Sequence, residues 1–346
     1  MQTIFCLVSR QAMANVLPVF MYKPTDVVLF TTPEENLCAN NLEELFSSKN
    51  IKVSRIDNLD AYDYIKFKEA VKTQLEKINS NDVVLNVTGG TKLMALAAYE
   101  AFAEKDKTII YCDTEHQSII TLFPKYSSTE LSAQLSVKEY LEAYGCKITE
   151  LKSSFGESDY FRLFEFIDSQ NLMHSFIGLY FKVREKLASN QPNFTVVSDD
   201  GIFHFQKKFD YYFIHYGIHS KNSIKIQHND FKSGDWLEYF ICYKLKIKEN
   251  LSPLVGVKII NAQGVENEID VMVIKDFRLY IYSCKTGKKD NQFDLFQLET
   301  LRNITSGTFG KGIFVTSNQH SEKFLKRARE LSISVINVLD NNQVII

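Results

Sequence analysis

The sequence contains no run of about 18 consecutive apolar residues, so no membrane-spanning helix is expected. Its six cysteines form no C-x-x-C pair, which argues against a zinc ribbon or a disulfide framework. The first residues lack a basic segment and a small-residue cleavage site, and we expect no signal peptide. With a formal net charge of −2, the chain has no global field that would attract nucleic acid. We therefore expect a cytoplasmic protein whose phosphate-binding surfaces are local.

The first half of the chain alternates between strand and helix patterns. The length of 346 residues favours two domains, which we place at residues 1–150 and 151–346, with the core of the second at about 233–346. Helical segments separate the strand-like runs, which predicts an α/β domain with a parallel sheet that binds ligands at the carboxyl ends of its strands. The strand-like runs are 4–8, 26–30, 52–56, 82–87 and 108–113.

A polar, glycine-containing segment follows the fourth predicted strand and opens a helix. It consists of Thr88, Gly89, Gly90, Thr91 and Lys92. Glycines let the backbone approach a ligand, and the free N–H groups of a helix N-terminus attract phosphate. A tight strand-to-helix turn is the plainer interpretation. Neither G-x-G-x-x-G nor G-x-x-x-x-G-K-[ST] is present, which argues against an ordinary dinucleotide-binding enzyme.

In the second half, segment 267–287 predicts two strands joined by a tight turn at residues 276–277. Side chains alternate between the faces of a strand, so this register brings acidic residues opposite the polar end of the second strand. Two carboxylates beside a lysine suit a hard cation, Mn²⁺ or Mg²⁺, and hydrolysis of a phosphodiester. A surface hairpin with an ion pair is the alternative. The facing pairs are Asp270 with Ser283, and Glu268 with Lys285.

Glu238 lies in a predicted helix among large apolar side chains, including Trp236 and Phe240. A carboxylate in such a setting needs a partner, which favours a metal-binding group aimed at the hairpin. An exposed helix glutamate is the alternative interpretation.

Two segments of the first half resemble a known family. V-S-R-Q-A-M-A-N-V-L-P and L-N-V-T-G-G-T-K-L-M-A resemble the CARF (CRISPR-associated Rossmann-fold) sensor domain, as found in nuclease effectors of type III CRISPR systems. The resemblance implies a homodimer that binds a cyclic oligoadenylate, commonly cyclic tetra-adenylate, across its two-fold axis. The ligand-binding residues it implies are Ser9, Arg10, Gln11, Asn15, Thr31, Thr88, Gly89, Gly90, Thr91 and Lys92.

The second half resembles a restriction-endonuclease-like α/β domain of the PD-(D/E)xK class. Asp270 matches the first acid of that motif, Lys285 matches its lysine, and Glu238 matches the glutamate of the preceding helix. Ser283 stands where the family has a carboxylate, so Glu238 or Glu268 would supply the missing charge. The implied metal ligands are Asp270, Glu238 and the backbone carbonyl of Cys284, and the implied catalytic residues are Asp270, Lys285, Glu238, Glu268 and Ser283.

Together these expectations predict a cyclic-oligoadenylate-activated, metal-dependent endonuclease that cleaves DNA and/or RNA with little sequence preference in type III CRISPR defence. One alternative is a nuclease-like domain weakened at Ser283, which acts as a binding or regulatory protein. Another alternative is a Rossmann enzyme that uses a dinucleotide.

Overall fold

The computed structural model describes residues 3–78, 82–152, 157–188, 191–209, 211–217, 221–227, 234–287 and 290–340. Within these ranges the chain forms three sheets, of seven, four and six strands, with helices packed between and around them. None of the helices described is both long and apolar enough to cross a membrane.

The first domain begins with the predicted alternation of strands and helices. Its elements are β1 (Thr3–Leu7), α1 (Met13–Tyr22), β2 (Asp26–Phe30), a 3₁₀ turn (Pro33–Glu35), α2 (Asn36–Ser48), β3 (Lys52–Ile56), α3 (Tyr64–Glu76), β4 (Val83–Asn86), α4 (Lys92–Ala103), β5 (Thr108–Asp113), β6 (Ser118–Phe123), β7 (Ser127–Glu130) and α5 (Val137–Ala143). The sheet order is β3-β2-β1-β4-β5-β6-β7. Strands β1 to β5 are parallel, as predicted, whereas β6 and β7 are antiparallel.

Strand β7 was not predicted, because residues 125–130 have the polarity of a loop. All four of its side chains are exposed at the edge of the sheet. An edge strand of this kind lacks the alternation of apolar and polar residues that identifies a strand in a sequence.

The chain continues with β8 (Lys147–Leu151), α6 (Glu157–Ser169), α7 (Met173–Ala188), β9 (Asn193–Val197), β10 (Phe203–Lys208), β11 (Tyr211–Tyr216) and β12 (Asn222–Gln227). The helical pattern of residues 159–188 is divided into α6 and α7 around Asn171, which has a φ of 54°. Strands β9 to β12 form an antiparallel sheet in the order β12-β11-β10-β9.

The remaining elements are α8 (Trp236–Tyr243), a π-helical turn (Lys244–Lys248), β13 (Leu254–Ile260), β14 (Glu266–Lys275), β15 (Arg278–Lys285), α9 (Gln292–Ser306), β16 (Lys311–Thr316), α10 (Glu322–Glu330) and β17 (Ile333–Asn337). They form a six-stranded sheet in the order β17-β16-β15-β14-β13-β8. The predicted succession of helix, strand, hairpin, helix and strand is therefore confirmed.

Strand β8 lies at the edge of this last sheet, where it pairs with β13. The segment that separates the two predicted domains is therefore a strand over residues 147–151, and residues 153–156 lie outside the described ranges. The division at residue 150 stays a prediction, but the chain enters the second sheet directly after α5.

The six-stranded sheet is buried on both faces. One face packs against α6, α7 and α8 through side chains that include Val271, Val273 and Tyr282. The opposite face packs against α9 and α10, and the same apolar cluster contains Tyr140 of α5 and Leu17 of α1. The first domain therefore shares a hydrophobic core with the sheet that carries the hairpin.

Candidate active site and ligand cleft

A cleft of about 720 Å³ opens beside the carboxyl ends of the parallel strands of the first sheet. Four predicted ligand residues line it, namely Ser9, Arg10, Gly90 and Thr91. The loop after β3 also lines it, through Asp60 and Tyr62. Sequence analysis missed these two residues, because their role depends on the position of β3 in the sheet order and no motif marks them.

The glycines after β4 are required by close packing. An ideal Cβ at Gly89 would lie 2.1 Å from the carbonyl oxygen of Leu7, and Gly90 has a φ of 74°. The Thr91 hydroxyl accepts a hydrogen bond from the Met94 N–H at 3.2 Å and donates to a backbone carbonyl of the loop after β3 at 3.1 Å. The segment is thus a tight turn, and it also fixes the N-terminus of α4 beside the cleft.

Two predicted ligand residues hold β1, β4 and β5 together. The buried Asn15 amide donates to the Leu7 carbonyl at 2.9 Å, and its oxygen accepts a hydrogen bond from Asn86 at 3.0 Å. The Thr88 hydroxyl donates to the Asn86 side-chain oxygen at 2.5 Å and accepts from the Cys112 N–H at 2.7 Å. These contacts give Asn15 and Thr88 a structural role, and their contact with a ligand stays a prediction.

The remaining predicted ligand residues are Gln11, Thr31 and Lys92, and they also lie outside the lining of the cleft. The Gln11 amide donates to the Thr308 hydroxyl at 2.6 Å, in the turn after α9, and so joins the first domain to the second. Thr31 is fully buried, and its hydroxyl has no hydrogen-bond partner among the residues that the structure describes. Lys92 is exposed at the first position of α4.

The hairpin of the second domain has the predicted register. The ladder of β14 and β15 runs from the pair Val271–Tyr282 to the pair Lys275–Arg278. Residues 276–277 form the turn, with φ values of 52° and 59°. Positive φ at both central positions matches the right-handed twist of the flanking strands, so the prediction of the hairpin register is confirmed.

Asp270 lies at the centre of the candidate site. Its Oδ2 accepts a hydrogen bond from the Cys284 N–H at 2.6 Å and lies 3.7 Å from the Lys285 Nζ. Burial raises the pKa of the Asp270 carboxyl, while the charge of Lys285 opposes this increase. The structure thus brings together the acid and the lysine that the sequence analysis assigned to one site.

An irregularity in the strands accompanies Asp270. Ile269 and Met272 pack in the same core cluster, although a regular strand would place residues three apart on opposite faces. The residue of β13 at this point of the ladder is Gly256, which has a φ of 54°. A Cβ on Gly256 would lie 2.6 Å from the Cβ of Lys152. Gly256 therefore permits the left-handed backbone conformation at this point and the close approach of Lys152.

Helix α8 brings Glu238 to the same site, where it meets a cation that sequence analysis missed. The Lys152 Nζ lies 3.3 Å from the Glu238 Oε2 and also contacts the Asp235 carboxylate. Burial raises the pKa of Glu238 to about 8, with the charge of Asp270 adding to the increase and Lys152 opposing it. Burial lowers the pKa of Lys152, but Asp235 and Glu238 together hold it above its usual value.

Neither Lys152 nor Asp235 has a sequence pattern that marks it as part of the site. Lys152 follows β8 in a polar stretch, and it reaches the site only because β8 pairs with β13. Asp235 precedes α8, where an acid would ordinarily cap the helix. It makes no capping hydrogen bond and pairs with Lys152 instead.

The metal-binding role predicted for Cys284 and the catalytic roles predicted for Ser283 and Glu268 stay predictions. Burial raises the pKa of the Cys284 thiol well above its usual range, and the charges of Asp270 and Glu238 add to this increase. Ser283 is half-buried and pairs with Phe314 of β16. Glu268 is exposed and pairs with Lys258 of β13, and it precedes the ladder between β14 and β15.

Over the described ranges, no group of three or more His, Cys, Asp or Glu side chains is arranged to hold a metal ion. The oxygens of Asp270 and Glu238 are nevertheless the donor type that hard divalent cations prefer. The pKa of each carboxyl is raised first by burial. A bound cation would relieve the cost of ionising both carboxyls in this setting, so the pair fits a divalent metal.

A parallel sheet with a cleft at its strand ends, followed by a hairpin that presents an acid and a lysine, defines a CARF sensor domain joined to an endonuclease domain. Residues 3–140 match the family model described as the Card1 CARF domain, and residues 226–343 match the model described as the Card1-like endonuclease domain. The chain therefore belongs to the CARF-domain nucleases related to Card1. Residues 141–225 lie between the two matches.

Two solved structures are similar over nearly the whole chain. Can2 from Sulfobacillus thermosulfidooxidans, in complex with cyclic tetra-adenylate, is 24% identical with a TM-score of 0.72, and the match covers 98% of this chain and 96% of Can2. Protein VC1899 from Vibrio cholerae is 18% identical with a TM-score of 0.74, and the match covers 97% of this chain and 94% of that protein.

A type III CRISPR defence DNA nuclease activated by cyclic oligoadenylate is 16% identical with a TM-score of 0.61, where 92% of this chain corresponds to 46% of that protein. At these identities the similarities show a shared fold. No curated protein sequence matches the chain.

Proposed function

We propose that this protein is a cytoplasmic, homodimeric endonuclease of type III CRISPR defence that cyclic tetra-adenylate switches on. The observation that carries the proposal is the meeting of Asp270, Lys285 and Glu238 within a Card1-like endonuclease domain. The activator, the metal, the substrate and the dimer each have separate support.

The cleft of the CARF domain supports a cyclic oligoadenylate as the activator. The backbone N–H groups at the start of α4 lie beside it and suit a phosphate. The Arg10 side chain is 84% exposed, with its Nε 3.4 Å from a Glu35 carboxylate oxygen. The similarity to Can2, whose structure contains cyclic tetra-adenylate, favours a ring of four nucleotides.

Exposed apolar side chains beside the cleft support a homodimer. On α4, Leu93 is 39% and Leu96 is 59% exposed, and Ile65 of the neighbouring helix α3 is 66% exposed. Apolar side chains grouped on adjacent helices mark an interaction surface. A second copy of the chain on this surface would bring two clefts together, which matches the two-fold symmetry of a cyclic tetranucleotide.

Asp270 and Glu238 would hold Mn²⁺ or Mg²⁺, which supplies charge stabilisation of the phosphoryl group and an activated water when bound. Lys285, with its Nζ 3.7 Å from Asp270, would hold its positive charge against the phosphate as negative charge develops. Glu238 must be ionised to act as a ligand, so its neighbours Lys152 and Asp270 control its availability. Backbone recognition alone allows cleavage of DNA and/or RNA without sequence preference.

The test is cleavage of single-stranded DNA, RNA and plasmid DNA with Mn²⁺ or Mg²⁺, with and without cyclic tetra-adenylate. Lys285→Ala should lower the activated rate about 100-fold or more and leave activator binding unchanged. Lys275→Ala is the matched control, since Lys275 lies at the turn end of the same hairpin and pairs with Glu249 at 3.4 Å. No cleavage by the parent protein in any combination, with activator binding intact, would instead support a weakened, regulatory nuclease-like domain.

A further inference from the structure

The four-stranded sheet of β9 to β12 has two unlike faces. Its inner face packs on α6 and α7 through buried side chains that include Phe203, Tyr212 and Ile224. The alternate residues of the same strands form its outer face. On the three strands β10 to β12 that face carries His204, Gln206, Lys208, Tyr211, Phe213, His215, Ser223 and Lys225.

Aromatic rings and lysines are interleaved on this outer face. Tyr211 lies opposite Lys208, and Phe213 lies opposite Lys225. The Lys225 Nζ is 3.4 Å from the centroid of the Tyr211 ring, and the Lys208 Nζ is 5.9 Å from the centroid of the Phe213 ring. Tyr211 is 46% exposed, and the Lys225 ammonium covers one face of its ring, so the ring is partly accessible to a ligand.

The outer face carries two lysines and, among the residues that the structure describes, no aspartate or glutamate. The two lysines contact rings, whereas several lysines elsewhere on the protein pair with carboxylates, such as Lys68 with Glu104 at 2.7 Å. Burial lowers the pKa of the His215 imidazole, and the proximity of His204 and Lys208 lowers it further, so this ring favours its neutral form.

This combination fits one class of ligand. Lysines spread over a flat sheet attract phosphates, and exposed rings stack on bases. A duplex hides the faces of its bases, so only an unpaired strand can use both kinds of contact. We propose that the outer face of the β9–β12 sheet binds single-stranded nucleic acid. The inference rests on the proposed nuclease function, since the strand held there would be the substrate.

The sheet is joined to the candidate active site through packing. Its inner face rests on α6, and α6 packs on α8, where the Tyr160 and Tyr239 rings stack with centroids 4.8 Å apart. Tyr239 follows Glu238 directly in the sequence. A nucleic-acid strand bound on the outer face is therefore held by elements that pack, through α6, against the helix that carries Glu238.

Binding is measured by fluorescence anisotropy in EDTA, with labelled oligonucleotides of about 16 nucleotides as single-stranded DNA, single-stranded RNA and duplex DNA. For the single strands, the double variant Lys208→Ala/Lys225→Ala should weaken binding and reduce the salt slope by about 1.4, because two phosphate contacts are lost. The variant Tyr211→Ala/Phe213→Ala should weaken binding about fivefold or more with little change in slope.

The matched control is Lys105→Ala/Lys138→Ala, which removes two surface lysines that lie near Glu76 and Glu142. It should bind like the parent protein. Unchanged affinity in both test variants, or equal losses in the control, overturns the proposal. If the aromatic variant alters the oligomeric state in light scattering while oligonucleotide binding is unchanged, the face is a contact between copies and the proposal is wrong.

Circular dichroism checks the fold of each variant. If the aromatic variant does not fold, the lysine variant and its salt slope decide the proposal alone. Binding in EDTA is measured without metal-dependent cleavage, so the two tests are separate. A parent protein that binds single strands in EDTA but cleaves none of them with Mn²⁺ or Mg²⁺ and cyclic tetra-adenylate would refute the proposed nuclease function. It would leave the binding of single strands by the outer face standing.

Discussion

The Lys152 ammonium lies 3.3 Å from a carboxylate oxygen of Glu238, although the two residues are 86 positions apart in the chain. Lys152 directly follows β8, the first strand after the last helix of the CARF domain, and Glu238 lies on α8. This ion pair therefore connects the segment where the chain leaves the first domain to the candidate active site. It also means that the site contains two lysines, of which the PD-(D/E)xK motif includes only Lys285.

Replacement of Lys152 by methionine should destabilise the metal-free protein by on the order of 1–3 kcal/mol, because the carboxylates of Glu238 and Asp235 lose a largely buried counter-charge. The pKa of Glu238 should rise further, since Lys152 opposes its elevation. The pH at which activated cleavage reaches half of its maximum should rise with it. Thermal unfolding in EDTA and a pH–rate profile measure both effects, and Lys152→Arg should restore them. An unchanged pH profile in Lys152→Met would show that Lys152 does not act on Glu238.

The stability of the metal-free protein should depend on pH through Glu238. Its pKa is about 8 in the folded protein, above the ordinary value of 4.5. Between these values the folded state retains a proton that the unfolded chain releases, so the contribution of Glu238 is complete below the lower value and is lost as pH rises through the upper one. In EDTA, the melting temperature of Glu238→Gln should therefore fall less than that of the parent protein from about pH 5 to about pH 8.5.

Calorimetry across this pH range measures the melting temperatures. Glu150→Gln is the control, because Glu150 is an exposed glutamate on β8 of the six-stranded sheet. Parallel curves for the parent protein and Glu238→Gln would contradict the elevated pKa of Glu238.

Gly89→Ala should destabilise the protein by on the order of 2–4 kcal/mol, because the new Cβ would lie 2.1 Å from the Leu7 carbonyl oxygen, a backbone atom of a central strand. Gly178→Ala is a contrasting control within α7, where a Cβ meets no atom within 4 Å. That change should stabilise the protein by about 0.5–1 kcal/mol, since glycine weakens a helix interior. Denaturant titration compares the two variants. Equal effects would mean that β1 and the turn after β4 are less closely packed than described.

Gln11→Ala and Thr308→Ala should each lower the free energy of unfolding by about 0.5–1.5 kcal/mol, because they share one hydrogen bond of 2.6 Å between the domains. The double variant should lose little more than either single variant, which a double-mutant cycle detects. Fully additive losses would show that the two side chains act independently in solution.

The sequence was most informative where the fold depends on neighbouring residues. The alternation of apolar strands and helices identified the parallel sheet, and the hairpin register followed from a two-residue turn, which placed the strand of Asp270 beside the strand of Lys285. Both inferences use short-range periodicity, which a single sequence displays directly.

Features that depend on distant pairing could not be predicted. Lys152 enters the site through the ladder of β8 with β13, more than 100 residues later in the chain. The internal role of Asn15 depends on Asn86, which β4 brings beside β1. The sequence identified polar residues at the ends of the strands, but it could not separate those that line the cleft from those that hold the strands together.

The shared apolar cluster constrains how this architecture can change. Tyr140 and Leu141 of α5 lie in one core with Ile281 of β15 and Leu298 of α9. Separating the halves would expose these surfaces to water, and grafting the CARF half onto an unrelated effector would leave cavities and clashes along the seam. A change of side-chain volume on one side of the seam therefore calls for a compensating change on the other side, and the two halves are mechanically one packed body at this boundary.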